Sequence, residues 1–186
     1  MRKRVVILAS GSGTLAQAII DAKELEIQVV AVVTDNPRAQ VLERAKAANV
    51  NTAIVEMQND RALWNSQLFE QVDQYRPDLV VSAGFMRILA PEFVNHFPTI
   101  NSHPALLPKF PGAHAVRDAL AAGASVTGTT VHWLDDGVDT GPIITQMEVP
   151  VLPGDDEAML HERIKKVEHG LIVATIALII PTLETR

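Results

Sequence analysis

No cysteine occurs among the 186 residues. Disulfides, thiolate nucleophiles and Cys-ligated zinc are therefore excluded, and the composition suits a reducing compartment. Aromatic residues are scarce at 4%, so the core has to be aliphatic, built from Val, Ile, Leu and Ala. Basic residues are outnumbered, 16 against 22 acidic, which gives a formal net charge of -6. A surface of that sign repels a phosphate backbone and argues against bulk nucleic-acid binding, while leaving room for one local anion site. Long apolar runs are missing as well. The longest, residues 171–180, includes Thr175 and is about half of what a bilayer crossing needs. The apolar run 5–9 behind Met1-Arg2-Lys3-Arg4 is too short for the hydrophobic region of a signal peptide, and Ser-Gly-Ser-Gly breaks it at once. These absences predict a cytoplasmic protein without a membrane partner.

What remains is 47% hydrophobic and 20% charged, the balance of a folded globular chain, with no repeat and no low-complexity linker. The first half alternates strand and helix patterns. The continuous apolar run at 5–9 reads as a strand covered on both faces, 27–34 as a second buried strand, 52–55 as a short strand and 79–83 as a fourth. Between them, 14–22 carries Leu15, Ile19 and Ala22 on one side, 39–48 reads as a helix, and 61–75 places Trp64, Leu68, Val72 and Tyr75 at helical spacing. Such alternation predicts an α/β fold with right-handed crossovers: a Rossmann-like, mostly parallel central sheet with helices on both faces. Ligands of such sheets gather at the carboxyl ends of the strands. The second half reads differently. A fifth strand at 98–102 runs into a loop holding Pro104, Pro108 and Pro111, then a helix over 115–122. Strands at 125–134 and 142–151 follow, joined by an acidic, glycine-containing loop over 135–141. A long helix over 156–179 closes the chain, with Asp155, Asp156 and Glu157 at its positive end and a stripe of Leu160, Ile164, Val167 and Leu171.

Ser10-Gly11-Ser12-Gly13-Thr14-Leu15-Ala16 lies between a buried strand and a helix. Glycines let the chain turn tightly there, and the free N–H groups of the helix start face an anion, with the Thr14 hydroxyl as an extra donor. The same segment meets the relaxed dinucleotide fingerprint through Gly11, Gly13 and Ala16, and Asp35 ends the second strand where a ribose-binding acid would sit. No Lys follows the glycines, so a nucleoside-triphosphate loop is excluded.

Asn101 and His103 lie two apart, on one face of an extended chain, and Pro104 keeps His103 out of helical conformation. Asp139, in the acidic loop, comes off another strand. A carboxylate beside an imidazole favours its protonated form, which makes a general acid, and an amide next to that ring completes an oxyanion site. His96, His114, His132, His161 and His169 show no close ligand pairing, so no metal site is expected.

Asn101-Ser-His103-Pro-Ala-Leu-Leu-Pro108-Lys-Phe-Pro111-Gly, with Asp136-Gly-Val-Asp139-Thr-Gly-Pro142-Ile and Ala83-Gly-Phe-Met86-Arg87-Ile88-Leu89, resembles the phosphoribosylglycinamide formyltransferase family of purine synthesis. The resemblance runs from the first strand to the terminal helix. It implies a single formyltransferase-type domain, 1–186, with a mononucleotide-binding half at about 1–100 and a catalytic, folate-binding half at about 101–186. It further implies formyl transfer from 10-formyltetrahydrofolate, the co-substrate, to the amine of glycinamide ribonucleotide, with no metal or redox cofactor. Asn101 would bond the formyl oxygen, His103 would be the general acid, and Asp139 would keep His103 protonated and help position a water. Gly13, Thr14 and Leu15 match the segment on the ribonucleotide's phosphate, and Lys165 and Glu168 fall where the family's last helix meets that substrate. Met86, Arg87, Ile88 and Leu89, together with Asn101, Asp135, Asp136, Gly137, Val138 and Asp139, match the folate segments, and Arg61 a further folate contact. The family usually has Asn at Leu15 and Leu at Ala16, so here only backbone donors remain in that part of the loop.

From spacing alone, Lys165 and Glu168 read as a surface ion pair three residues apart, and Met86, Ile88 and Leu89 as ordinary core. The resemblance leaves monomer or homodimer open. Three rival readings stand beside it: a 10-formyltetrahydrofolate-dependent formyltransferase or hydrolase with another acceptor, an NAD(P)-binding oxidoreductase built on Gly11, Gly13, Ala16 and Asp35, and a non-catalytic nucleotide-binding regulator. The tRNA-directed and water-directed relatives carry an added domain that 186 residues would not hold.

Overall fold

Strands made of consecutive Val, Ile and Leu have no solvent face, so both sides of the sheet must be roofed. The computed structural model, which describes residues 2–184, meets that need with helices on each face. In chain order the elements are β1 (Lys3–Leu8), α1 (Thr14–Asp21), β2 (Ile27–Thr34), α2 (Val41–Ala47), β3 (Asn51–Ile54), α3 (Arg61–Asp73), β4 (Leu79–Ser82), α4 (Pro91–His96), β5 (Thr99–His103), α5 (Ala115–Ala121), β6 (Val126–Trp133), β7 (Ile143–Pro150) and α6 (Glu157–Ile179), then a 3₁₀ turn (Ile180–Thr182). The sheet has seven strands in the order β3-β2-β1-β4-β5-β6-β7. Its first five are parallel, and β6 and β7 are antiparallel to their neighbours.

One face buries Val5, Ile7, Leu79, Val81 and Ile100 under α1 and α6. The other buries Val6, Leu8, Val30 and Val80 under α3 and α4, with Trp64, Phe93 and Phe97. Trp64 is fully buried, and its indole N–H donates to the Val55 carbonyl at 2.9 Å. Side-chain caps set two helix starts: Asp60 accepts from the Leu63 amide at 3.0 Å and Asp156 from the Met159 amide at 2.8 Å. Asp156 is thus the residue before α6 rather than its first turn.

Most elements fall within one or two residues of the sequence reading. One helix was not anticipated: α4 is only six residues long, and Pro91 opens it. The strand order reverses between β1 and β4, which is where open α/β sheets leave a crevice. Among the described residues, no helix is long and apolar enough to cross a membrane.

Candidate active site

The crevice is tied together by short bonds. After β1, the Ser10 amide donates to the Gly84 carbonyl at 3.1 Å, and the Ser10 hydroxyl accepts from the Met86 amide at 2.9 Å. The glycine loop and the loop after β4 are therefore one rigid joint. Gly13 precedes α1 in left-handed conformation, φ 73°, and a Cβ there would lie 2.8 Å from the Val41 backbone Cα. Only glycine fits both demands. The first-turn amides of Thr14, Leu15 and Ala16 have no acceptor within the helix, as an anion-binding helix start requires. Leu15 and Ala16 turn their side chains into the core.

β5 mounts the chemistry. Asn101 pairs in register with His132 of β6, and His103 with Thr130. His103 is buried; its Nε2 lies 2.8 Å from the Phe110 carbonyl and its Nδ1 3.4 Å from Asp139 Oδ2. A carbonyl only accepts, so Nε2 is the donor to Phe110, and the Asp139 carboxylate faces Nδ1. Burial pushes the Asp139 carboxyl up, but the hydrogen bond from His132, the Gly112 amide at 2.8 Å and the charges of His103 and His132 outweigh it, leaving Asp139 below the ordinary value.

The sequence reading set His132 aside, and the structure corrects that. Its Nε2 lies 3.3 Å from the Asn101 amide nitrogen and 3.5 Å from Asp139 Oδ1, and its Nδ1 lies 2.9 Å from the Trp133 carbonyl. One fully buried ring thus touches two of the three candidate catalytic groups. Period-2 spacing alone places Thr130 and His132 on one face of β6. What it does not supply is the register against β5.

The acidic loop arrives from an unexpected side. Since β6 runs antiparallel to β5, the loop leaves the sheet beside Thr99, at the start of β5, where the Leu134 amide donates to the Thr99 carbonyl at 2.8 Å. It then folds back along the face carrying Asn101 and His103. Asp136 lies 3.3 Å from the Asn95 amide, and Asp135 accepts from the Gly137 amide and the Thr140 hydroxyl at 3.0 and 2.7 Å. Gly141 closes the loop so tightly that a Cβ would sit 1.9 Å from the Trp133 carbonyl oxygen.

Between these segments lies a cavity of about 390 Å³. Met86, Arg87, Ile88, Leu89, Asn101, His103, Asp135, Gly137, Val138 and Asp139 line it, with His114, Glu157 and His161 at one wall. Met86 and Ile88 are 69% and 63% exposed, so they are not the core residues their pattern suggests; Leu89 is. Arg61 does not line the cavity. Its guanidinium donates to the Ile88 carbonyl and lies over the Trp64 ring, bracing the loop from behind. Arg87 Nε donates to buried Asp35 Oδ2 at 2.6 Å, so the acid that a dinucleotide ribose would need is already engaged.

Lys165 and Glu168 do not pair with each other. Lys165 bonds Glu162 at 2.6 Å, while Glu168 turns inward and accepts from the Ser102 hydroxyl at 2.6 Å. Among the described residues, no three His, Cys, Asp or Glu groups gather as a metal site.

A family model described as formyl transferase matches residues 3–176. The phosphoribosylglycinamide formyltransferase of Mycobacterium tuberculosis (H37Rv) is 49% identical over 180 residues, spanning 94% of this chain and 83% of that protein. The protein of the same name from Escherichia coli K12 is 42% identical over 174 residues, 90% of this chain and 82% of its own. Among solved structures, glycinamide ribonucleotide transformylase 1 from Symbiobacterium toebii aligns with a TM-score of 0.92 at 40% identity, covering 95% of this chain and 86% of that one.

Proposed function

The chain belongs to the formyl transferase family, and from that membership we infer that it transfers the formyl group of 10-formyltetrahydrofolate to the amine of glycinamide ribonucleotide, a step of purine synthesis. The observation that carries this reading is the convergence of Asn101, His103 and Asp139 in one cavity walled by the loops 86–89 and 135–139. The amine nitrogen attacks the formyl carbon, and the carbonyl oxygen gathers negative charge in a tetrahedral intermediate. The Asn101 amide and the His103 Nε2 hydrogen, the one now given to the Phe110 carbonyl, answer that charge. As the bond to N10 breaks, the amine gives up a proton and N10 takes one, leaving formylated product and tetrahydrofolate. Asp139 holds the imidazole charged and oriented, and His132 steadies both Asp139 and Asn101. The chain's remaining share is to place two substrates so that the reaction is effectively intramolecular.

In this reading the glycine loop takes the ribonucleotide's phosphate on the amides of Thr14 and Leu15, and Lys165 and Glu168 face the same substrate. The N-terminal half up to about residue 100 serves the nucleotide and the remainder the folate and the chemistry. The partners are the two small molecules, with neither nucleic acid nor membrane; the protein works in the cytoplasm as a monomer or homodimer.

A spectrophotometric assay with glycinamide ribonucleotide and a 10-formyl folate, run with and without the acceptor, tests this. Absorbance should change only when both substrates are present. Change without the acceptor would indicate a hydrolase, and tight saturable NADH binding would favour the oxidoreductase. Gly13→Ala supplies a finer check. Left-handed strain of about 1–2 kcal/mol at a non-glycine residue, added to the clash with Val41, should raise KM for the ribonucleotide by about tenfold or more. KM for the folate should rise less, by no more than about threefold, since the loop reaches the folate segment only through the Ser10 hydroxyl at Met86, three residues from Gly13. Equal rises in both would refute the assignment of this loop to the phosphate.

A further inference from the structure

Among the described residues that line the cavity, Arg87 is the one Lys or Arg; the other charged walls include the carboxylates of Asp135, Asp139 and Glu157. The formyl donor of the proposed reaction ends in a glutamyl tail and is itself an anion, so the stance of this guanidinium bears on how it is received. That stance is set from across the sheet. Asp35 follows β2, Arg87 follows β4, and β1 runs between the two strands. Arg87 Nε donates to Asp35 Oδ2 at 2.6 Å, with the Asp35 side chain 2% exposed and that of Arg87 40%. Among the described residues the other oxygen, Asp35 Oδ1, is buried without a hydrogen-bond partner, so the carboxylate is committed to Arg87. We propose that Asp35 is a positioning residue that fixes Arg87 to receive the acidic tail of the formyl donor, without itself touching either substrate. This rests on the formyl-transfer reading above and deepens it at the donor end.

Both ends of the bridge are held. Asn36, next to Asp35, donates its amide to the Ser10 carbonyl at 3.3 Å, and the amide of Met86, next to Arg87, donates to the Ser10 hydroxyl at 2.9 Å. One residue thus fixes the separation of the partners. Two opposing effects then decide what Asp35 does for the donor. Its negative charge repels an anionic tail, but that repulsion acts from beyond the guanidinium and is screened by salt at an open cavity mouth. An unanchored Arg side chain is rich in rotamers, and ordering it on binding weakens the very contact that captures the tail. Preorganisation outweighs repulsion, so loss of Asp35 weakens donor binding.

The test compares Asp35→Ala and Asp35→Asn with wild type, measuring kcat and KM for two donors: a 10-formyl folate, and the same compound without its glutamate. Wild-type turnover with the glutamate-bearing donor comes first; its absence would refute the function itself and is distinguishable from failure of the positioning role. Asp35→Ala should raise KM for the glutamate-bearing donor about fivefold to tenfold, and KM for the glutamate-free donor by no more than about twofold, with kcat within about threefold. Asp35→Asn keeps an oxygen for Arg87 Nε and should recover most of the loss. Placed in an Arg87→Ala background, Asp35→Ala should add less than about twofold, because its effect runs through the guanidinium. Should Asp35→Ala not fold, Asp35→Val, which fills the site without an acceptor, should show the same selective rise. Equal rises for both donors, as a merely structural role would give, no rise for either, or a full second loss in the Arg87→Ala background would overturn the proposal.

Discussion

Replacing His103 by alanine is expected to lower kcat by about three orders of magnitude while the protein stays folded. The substitution removes a general acid, typically worth about 10²–10⁴ in rate, together with one oxyanion donor worth about 10²–10³. Both act through a single ring, so the two losses do not multiply. The structural cost is smaller. The Phe110 carbonyl and the Asp139 carboxylate each lose a partner, and an orphaned buried polar group costs about 1–3 kcal/mol. For a chain of this size each kcal/mol lowers the melting midpoint by roughly 2–4 °C, which calorimetry resolves without reaching unfolding at 25 °C. Stopped-flow and steady-state rates on a variant shown to be folded settle the matter: kcat within about tenfold of wild type would remove His103 from the chemistry.

Asp139→Asn should cost about a tenth of that, on the order of a hundredfold in kcat, with both KM values within a fewfold. The side chain keeps its size but one oxygen becomes an N–H donor, facing either His103 or His132, both of which need an acceptor there. The pH signature is specific. Asp139 sits below the ordinary carboxylate value, so it remains ionised in the wild type from about pH 5 upward. Stability contributed by its charge is therefore complete at neutral pH and fades only as pH falls below about 4, through the lowered folded-state value. The asparagine variant should accordingly be slow at every pH between 5 and 9. A wild-type acid limb in that range that vanished in Asp139→Asn would show that Asp139, and not another group such as Glu168, titrates there, contrary to this expectation.

The parallel part of the fold was readable because β1, β2 and β4 are mostly Val, Ile, Leu and Ala, and α3 carries Trp64, Leu68 and Val72 at helical spacing. Asn101, His103 and Asp139 were legible as chemistry through their spacing and surrounding prolines and glycines, and the family resemblance supplied the reaction. Three features escaped for physical reasons. The helix α4 is too short to show a period, and only Pro91 announces it. The place of His132 depends on the antiparallel register of two strands far apart in sequence, which no local pattern encodes. Glu168 reads as a surface charge beside Lys165, but α6 turns it inward, where Ser102, between Asn101 and His103 on β5, becomes its partner.

The alternation of β5 has a practical corollary. Asn101 and His103 face the cavity while Ser102 faces α6, so one peptide ribbon separates the Asp139 carboxylate from that of Glu168. Deleting a single residue ahead of Asn101 would turn Asn101 and His103 toward α6 and bring Ser102 to the cavity face in their place.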